Sequence, residues 1–320
     1  MRTAFFRTLT ELAERDERIT IVTGDLGFGV IETFANRFPR QFLNAGVAEQ
    51  NMTGLAAGMA LCGKTVFTYS IANFPTLRCL EQIRNDLCYH NANVKVVSVG
   101  GGFSYGALGA THHATEDLAI LRSLPGLVVV APGDPVETDR LTRALARHQG
   151  PCYLRLGRAG EPKLHADGVK VELGKALKVR EGSDLTLLST GGVLKAVLDA
   201  AERLSRDGKT ARVLSMHTLK PLDRDAILAA AAETGGLVTV EEHSVIGGLG
   251  SAVADVLSQE SPVRVPFRMV ALPDAFCRSV GDQDYLRAVC GITVDGIVAA
   301  AEALAKPIRA PAREASRSRP

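Results

Sequence analysis

Short apolar runs rich in β-branched residues alternate with longer stretches of helical periodicity in the first half of the chain. The short runs predict strands at 19–22, 65–69, 94–99, 127–130 and 152–156. The longer stretches predict helices at 2–15, 48–62, 74–89, 115–123 and 135–148. Strands that alternate with helices favour a mostly parallel sheet with helices on both faces.

Residues 161–184 interrupt this alternation. Gly and Pro are spread through a polar stretch there, which predicts a linker. The alternation then returns, with predicted strands at 185–188, 212–215 and 237–240 and predicted helices at 193–206, 223–233 and 249–258. We therefore expect an α/β protein of two doubly wound domains, a first at 1–160 and a smaller second at 185–305. The tail at 306–320, rich in Pro, Ala, Ser and Arg, is expected to be disordered.

The composition excludes several classes of function. Apolar residues make up 46% and charged residues 22%, which is typical of a soluble globular protein. The formal net charge is only +2, so the chain has no large excess of positive charge that would favour binding to nucleic acid. The six cysteines form no C-x-x-C pair, which favours free thiols in a reducing cytoplasm. No signal peptide is visible and no apolar run reaches about 18 residues, so we expect a cytoplasmic protein outside the membrane.

Glu49 carries the strongest chemical signal in the sequence. It precedes a nearly uncharged helical stretch, residues 53–60, which is rich in Gly and Ala. Such small residues let another backbone or a flat ligand approach closely. A carboxylate at the start of a tightly packed helix is costly to bury without a partner, which suggests that its charge is needed. An acid at this position also favours the positive end of the helix dipole, so a purely structural role stays open.

Three glycine-rich loops directly follow predicted strands. They lie at 23–29, at 100–106 leading to Thr111-His112-His113, and at Gly157-Arg158. Ligands of such sheets bind beyond the carboxyl ends of the strands. Each loop alone is typical of an ordinary turn, but their place at one edge of one sheet favours a ligand site.

Three motifs in this order resemble the transketolase family and the related 1-deoxyxylulose-5-phosphate synthases. They are Gly46-Val47-Ala48-Glu49-Gln50, the loop at 111–113, and Val240-Glu241-Glu242-His243-Ser244 followed by glycines 247, 248 and 250. The resemblance covers residues 1 to about 305 and implies the back half of a transketolase, its pyrimidine-binding and C-terminal domains. For the last motif it implies interdomain and dimer contacts rather than chemistry.

The front half of a transketolase is missing from this sequence. Enzymes of the family bind thiamine diphosphate through Mg²⁺, which is held by a Gly-Asp-Gly motif on the amino-terminal domain. Mg²⁺ prefers hard oxygen ligands, the diphosphate oxygens among them. The chain contains Gly-Asp at 24–25, 133–134 and 281–282, but no Gly-Asp-Gly. The resemblance thus implies a split transketolase, with the metal in a partner N-terminal subunit and an α2β2 heterotetramer as the assembly.

The resemblance also implies two catalytic residues. Glu49 matches the carboxylate that hydrogen-bonds N1′ of the aminopyrimidine and so helps to remove the proton from thiazolium C2. His112 matches the histidine of the family's Gly-Pro-Thr-His motif, with Ala110 in place of the proline. That histidine lies near the substrate carbonyl, where an imidazole can donate or shuttle a proton. His113 is the less favoured alternative in the substrate pocket.

The resemblance assigns further residues to the cofactor pocket. Phe74 precedes the Arg-x-x-x-Gln-Ile-Arg-like run at 78–84 and is expected to form the aromatic wall of the pyrimidine site. Phe67 and Tyr69 lie on the predicted strand at 65–69. One face of that strand should be plain core, so these two residues are weaker candidates. Asp25 follows the first predicted strand, so a purely structural role in the turn also stays open for it. The assigned residues are Asp25, Leu26, Phe67, Tyr69 and Phe74.

Basic residues at the substrate funnel match those that bind a sugar phosphate in the family. Arg2 and Arg158 are these residues, and arginine offers bidentate hydrogen bonds to phosphate. Three positions depart from the family: Gly100 replaces a histidine that meets phosphate, Gly29 replaces a serine, and Leu108 replaces an acid. These changes predict an acceptor other than ribose 5-phosphate or erythrose 4-phosphate, such as a modified or deoxygenated sugar.

The predicted function is therefore the transfer of a two-carbon ketol unit from a ketose, or its phosphate, to an aldose-type acceptor. Two other enzyme types remain open: the β subunit of a 2-oxo acid dehydrogenase, and a deoxyxylulose phosphate synthase-like subunit that takes pyruvate. The loop at 111–113 and the string at 241–248 favour the transketolase. A scaffold subunit without cofactor is a further alternative, against which the joint presence of Glu49 and His112 argues.

Overall fold

The computed structural model describes residues 1–304 and contains two sheets, each covered by helices on both faces. The first sheet has seven strands in the order β10-β5-β6-β4-β3-β1-β2 and is parallel except for β10. Its strands are β1 (Ile19–Thr23), β2 (Phe42–Asn44), β3 (Thr65–Ile71), β4 (Val94–Val99), β5 (Val128–Val130), β6 (Cys152–Leu156) and β10 (Thr218–Lys220).

The second sheet has five strands in the order β12-β11-β8-β9-β7 and is parallel except for β7 at its edge. Its strands are β7 (Leu177–Arg180), β8 (Leu185–Thr190), β9 (Ala211–Ser215), β11 (Leu237–Ser244) and β12 (Phe267–Leu272).

The helices connect the parallel strands and pack on the sheets. They are α1 (Arg2–Ala13), α2 (Glu32–Arg37), α3 (Glu49–Leu61), α4 (Leu80–Gln82), α5 (Asp117–Arg122), α6 (Pro135–Arg147), α7 (Leu194–Arg206), α8 (Arg224–Glu233), α9 (Leu249–Glu260), α10 (Gln283–Val289) and α11 (Val294–Ala303). A π-helix at Ile83–Tyr89 continues α4. At the start of α6, the Asp134 carboxylate accepts a hydrogen bond from the Glu137 backbone N–H at 2.7 Å, next to Pro135 in the first helical position.

The predicted fold class is confirmed, with four edge strands, β2, β7, β10 and β12, outside the predicted pattern. β7 lies within the segment predicted as a linker, and β10 crosses from the second half of the chain to pair with β5 of the first sheet. These two strands are antiparallel, and like β2 they have only three or four residues, too few to give a clear apolar run. The predicted tail at 306–320 lies outside the described residues.

The first sheet is buried on both faces, which explains why its strands read as continuous apolar runs. One face packs on α1 and α6 through Phe5, Leu9 and Phe67. The other packs on α3 and the π-helix through side chains such as Met52 and Ile83. The two faces of β3 therefore lead to different surroundings, which decides the roles of its side chains below.

A buried ion-pair network joins the two domains. Arg155 on β6 donates through Nε to the Asp117 carboxylate at 3.0 Å and through Nη2 to the carbonyl oxygens of Ala114 and Glu242, at 2.6 and 3.0 Å. The Glu242 carboxylate in turn accepts from Arg287 Nε at 2.7 Å. Charges this deep require partners. The network therefore fixes the base of the loop at 100–114 against the second domain.

His217 is a further buried group between the domains. It has no exposed surface, and its Nδ1 lies 2.9 Å from the Thr218 hydroxyl. Burial lowers the pKa of His217 to about 4; the charge of His165 acts in the same direction and that of Asp223 opposes it. The folded chain therefore keeps this imidazole neutral at pH values where the unfolded chain protonates it.

We expect His217 to make the protein less stable as the pH falls from about 6.5 to about 4. In that window the unfolded chain binds a proton that the folded chain does not, so the free energy of unfolding drops by up to about 1.4 kcal/mol per pH unit. His217→Asn should flatten this part of the curve, measured by urea unfolding of the isolated chain. His90→Asn, at an exposed position, is the control that should keep the wild-type slope. A wild-type slope in His217→Asn would contradict the assignment.

Candidate active site

Glu49 is a buried carboxylate at the carboxyl edge of the first sheet. Its side chain is 1% exposed. The Ser70 hydroxyl on β3 donates to Oε1 at 3.0 Å, and Arg78 Nη1 donates to Oε2 at 2.8 Å. A Cβ at Gly24, just after β1, would lie 3.2 Å from the Glu49 Cγ, so a larger residue there would crowd the carboxylate. Gly24 thus leaves space for the carboxylate, and Ser70 and Arg78 each bind one of its oxygens.

Arg78 lies over Glu49 and is half-exposed, with 47% of its side-chain surface accessible. Its guanidinium carbon also lies 4.7 Å from the centre of the Phe74 ring. A cation above an aromatic face is held electrostatically. Arg78 therefore links the buried carboxylate to the aromatic residue predicted to wall the pyrimidine site.

The contacts continue from Phe74 to the loop at 100–114. The Phe74 ring meets the His112 ring edge-on at 5.2 Å, and the His112 ring lies 6.4 Å from that of Tyr105. The Arg158 guanidinium then lies 5.2 Å from the centre of the Tyr105 ring. We call this set the active-site row; its members are Glu49, Arg78, Phe74, His112, Tyr105 and Arg158.

The row brings together four of the residues predicted from the sequence: Glu49, Phe74, His112 and Arg158. Their roles toward a ligand stay predictions. Arg78 and Tyr105 were not predicted from the sequence. The sequence offered only weak signals for them: Arg78 begins the run at 78–84, and Tyr105 is an aromatic residue inside a glycine-rich loop.

The structure separates the two adjacent histidines. His112 closes a 3₁₀ turn at Ala110–His112, is partly exposed, and has its Nδ1 3.0 Å from the Thr111 hydroxyl. His113 is buried, and its ring packs edge-on against Phe103 at 4.9 Å rather than against Phe74. Of the two, only His112 belongs to the active-site row.

The two aromatic side chains on β3 differ from their predicted place in the cofactor pocket. Phe67 has no exposed surface and packs 6.0 Å from Phe5 in the core. A ring without exposed surface cannot wall a pocket, so we correct its role to a core residue. Tyr69 lies on the same face of the strand, 6.1 Å from Phe5. The reason is strand parity, because residues 67 and 69 point to α1 whereas Ser70 points to Glu49.

Asp25 ties the loop after β1 to the turn before α3. It has a left-handed backbone, with φ of +58°. Its backbone N–H donates to Asn44 Oδ1 at 3.1 Å, and Asn44 Nδ2 donates back to its carboxylate at 2.8 Å. Leu26 follows it and is partly exposed. A place for both beside a cofactor stays a prediction, but the loop that would present them is held close to Glu49.

Two of the residues that depart from the family, Gly100 and Leu108, lie beside Tyr105. The Tyr105 ring packs directly on Gly100, which has a φ of +100°, so a Cβ at position 100 would clash with it. Leu108 is 56% exposed. It lines a cavity of about 260 Å³ together with Tyr105 and Arg158. The predicted substrate funnel therefore has an apolar side chain and a tyrosine near its mouth.

Within residues 1–304, no group of three or more His, Cys, Asp and Glu side chains is arranged to hold a metal ion. In the same part of the chain, no helix is both long and apolar enough to span a membrane.

Comparison with family models identifies both halves of the chain. Residues 1–161 match the transketolase pyrimidine-binding domain, and residues 174–306 match the transketolase C-terminal domain.

Several proteins are similar over nearly the whole chain. One of the subunits of an apulose-4-phosphate transketolase from Phocaeicola vulgatus is 44% identical, over 85% of this chain and 87% of the relative. The 6-deoxy-6-sulfo-D-fructose transketolase subunit SqwH of a Clostridium species is 39% identical, over 94% and 93%. A 1-deoxy-D-xylulose-5-phosphate synthase of Desulforudis audaxviator is 36% identical, but this chain covers only 47% of it.

A solved structure has the same fold. It is described as a split gene transketolase in an inactive β4 tetramer, and it superposes with a TM-score of 0.86 at 38% identity, over 95% of this chain and 97% of the other. These matches confirm the resemblance read from the motifs. The chain therefore belongs to the transketolase family of thiamine diphosphate enzymes, of which it comprises the pyrimidine-binding and C-terminal domains.

Proposed function

We propose that this chain is one subunit of a split transketolase, which transfers a two-carbon ketol unit from a ketose donor to an aldose-type acceptor. The observation that carries the proposal is the buried Glu49 carboxylate, whose two oxygens are held by Ser70 and Arg78 at the edge of the sheet. These two contacts hold the carboxylate in one orientation, which a role toward a bound ring requires.

The residues of the site fit the aminopyrimidine end of thiamine diphosphate. When bound, the cofactor supplies a nucleophilic carbon for attack on the donor carbonyl. Each carboxylate oxygen has two lone pairs, so Glu49 retains acceptor capacity for a ring N–H beside Ser70 and Arg78. Phe74 offers a flat apolar face, and Asp25 and Leu26 would border the thiazolium side. His112 is the partly exposed group that would exchange a proton with a substrate oxygen.

A partner subunit is part of the proposal because the sequence contains no Gly-Asp-Gly motif to hold the metal. The face of α3 with Gly54 and Gly58 has open space, and Val47 just before the helix is 76% exposed. An N-terminal subunit that binds Mg²⁺ and the diphosphate, and that packs on this small-residue face, would complete the site in an α2β2 assembly. Two relatives named as transketolase subunits support this arrangement.

The acceptor is proposed to be a modified or deoxygenated sugar that ends in an anionic group. Arg2 and Arg158 would bind that group, while Leu108 removes a polar contact from the funnel. The names of two relatives refer to apulose 4-phosphate and to 6-deoxy-6-sulfo-D-fructose; both are ketoses, which fits a donor, and both carry an anionic group, so they support an anionic substrate end at this funnel. A cytoplasmic location remains part of the proposal.

The Glu49→Gln variant tests the function directly. The amide keeps the shape but removes the charge, so we expect ketol transfer by the assembled enzyme to fall at least about 100-fold, the range of a lost acid–base contribution. The measurement is the rate of transfer from a ketose phosphate to an aldehyde, with circular dichroism as a check of folding. The exposed Glu172→Gln is the control. Activity within about three-fold of wild type would sink the proposal.

The same assay separates the synthase alternative. The proposed enzyme should transfer a ketol unit from a ketose and should not require pyruvate as donor. Turnover that depends on pyruvate would move the assignment to a 1-deoxyxylulose-5-phosphate synthase-like subunit.

A double-mutant cycle tests the ion pair that holds Glu49. Arg78→Gln alone leaves a buried charge without its partner, whereas Arg78→Gln in a Glu49→Gln background does not. We expect a coupling free energy of about 1–3 kcal/mol between the two positions, measured by urea unfolding of the isolated chain. The exposed pair Lys195–Asp199 is the control and should couple by less than about 0.5 kcal/mol. Additive effects of the two substitutions at Glu49 and Arg78 would show that the pair does not hold the carboxylate.

A further inference from the structure

Tyr105 occupies the space that a side chain at position 100 would need. Gly100 has a left-handed backbone and the Tyr105 ring packs directly on it, so any Cβ there would strike the ring. The glycine and the tyrosine are therefore a matched pair. Where the family resemblance predicts a histidine that meets phosphate, this chain has no side chain at position 100 and an aromatic ring from position 105 in its place.

The same ring supports Arg158. The guanidinium carbon lies 5.2 Å from the ring centre, within the range of a cation–π contact. Arginine is a long side chain that loses much conformational freedom when it is fixed, so a flat surface beneath it favours one orientation. Tyr105 thus positions one of the two arginines predicted to bind the anionic end of the substrate.

The surroundings of Tyr105 also contain buried donors without partners. Arg2 Nε and the Tyr69 hydroxyl are buried, and although the Arg2 side chain lies beside that hydroxyl, neither atom makes a hydrogen bond of good geometry within residues 1–304. The charges of Arg2 and Arg158 both act on the Tyr105 hydroxyl and oppose the rise in its pKa that burial causes. Buried donors without good partners, one of them on a cation, are costly unless an acceptor joins them. An anion is the ligand that this combination suits.

We propose that Tyr105 is a specificity-determining residue for the anionic end of the acceptor: its ring holds Arg158 in place, and its hydroxyl donates to a terminal tetrahedral oxyanion bound by Arg2 and Arg158. Phosphate and sulfonate share this chemistry. The inference rests on the proposed function, since it concerns the acceptor side of the same site. It adds that this chain replaces a missing imidazole at position 100 with a phenol from position 105.

The test compares wild type, Tyr105→Phe and Tyr105→Leu in the assembled enzyme with three acceptors. Glyceraldehyde 3-phosphate carries a phosphate, 3-sulfolactaldehyde carries a sulfonate, and glycolaldehyde is uncharged. Tyr105→Phe removes only the hydroxyl, so we expect KM for the preferred anionic acceptor to rise about ten-fold with little change in kcat. Tyr105→Leu also removes the support of Arg158 and should raise KM further. Kinetics with glycolaldehyde should stay within two-fold of wild type in Tyr105→Phe.

The comparison of the phosphate acceptor with the sulfonate acceptor shows which oxyanion the site prefers. Tyr89→Phe, at an 86% exposed position, is the matched control. Unchanged KM values of Tyr105→Phe for both anionic acceptors, or an equal rise for glycolaldehyde, overturn the inference and leave the proposed function intact. If the assembled wild type transfers no ketol unit, the proposed function fails. The inference is then decided by titrating the isolated chain with inorganic phosphate, followed through the NMR signals of the arginine Nε–H groups. About ten-fold weaker binding in Tyr105→Phe supports it, and binding that is equal in both proteins, or absent from both, overturns it.

Discussion

The burial of the Glu49 carboxylate constrains the carboxyl edge of the first sheet. A carboxylate beneath the protein surface is costly without partners, and the Ser70 hydroxyl and the Arg78 guanidinium are the partners of Glu49. Gly24 leaves room for it at the end of β1. Stability alone does not explain a charge at this position, because an apolar residue of similar size would pack there without the cost of removing a charge from water. The arrangement is explained if the charge serves a ligand.

The remainder of the site is built outward from that carboxylate along one edge of the sheet. Arg78, Phe74, His112 and Tyr105 are in successive contact, and they end at Arg158 after β6. The members come from different loops, so their alignment requires that the loops be fixed. The second domain contributes here, since the buried network of Arg155, Asp117 and Glu242 anchors the loop at 100–114. The C-terminal domain thus acts on the site by positioning, without offering a side chain to the row.

Much of this arrangement could be predicted from the sequence, because the parallel strands are apolar runs and because Glu49 stands out in an uncharged helix. The start of α6 was also predicted correctly, at residue 135. The errors have a physical cause. β2, β7, β10 and β12 are edge strands whose pairing is set by tertiary contacts, and strand parity alone did not show which face of β3 is core, so Phe67 was assigned to the cofactor pocket. The contact of Tyr105 with Gly100 and Arg158 depends on how the loop folds back, which no local pattern encodes.

The central claim is that this chain supplies one half of a cofactor site that a second subunit completes. The most direct measurement is calorimetric titration of thiamine diphosphate with Mg²⁺ into this chain alone, into an N-terminal transketolase subunit alone, and into the two combined. We expect tight binding, at one cofactor per pair of subunits, only in the mixture. Equally tight binding to either subunit alone, or a mixture that binds no better than its components, would contradict the claim.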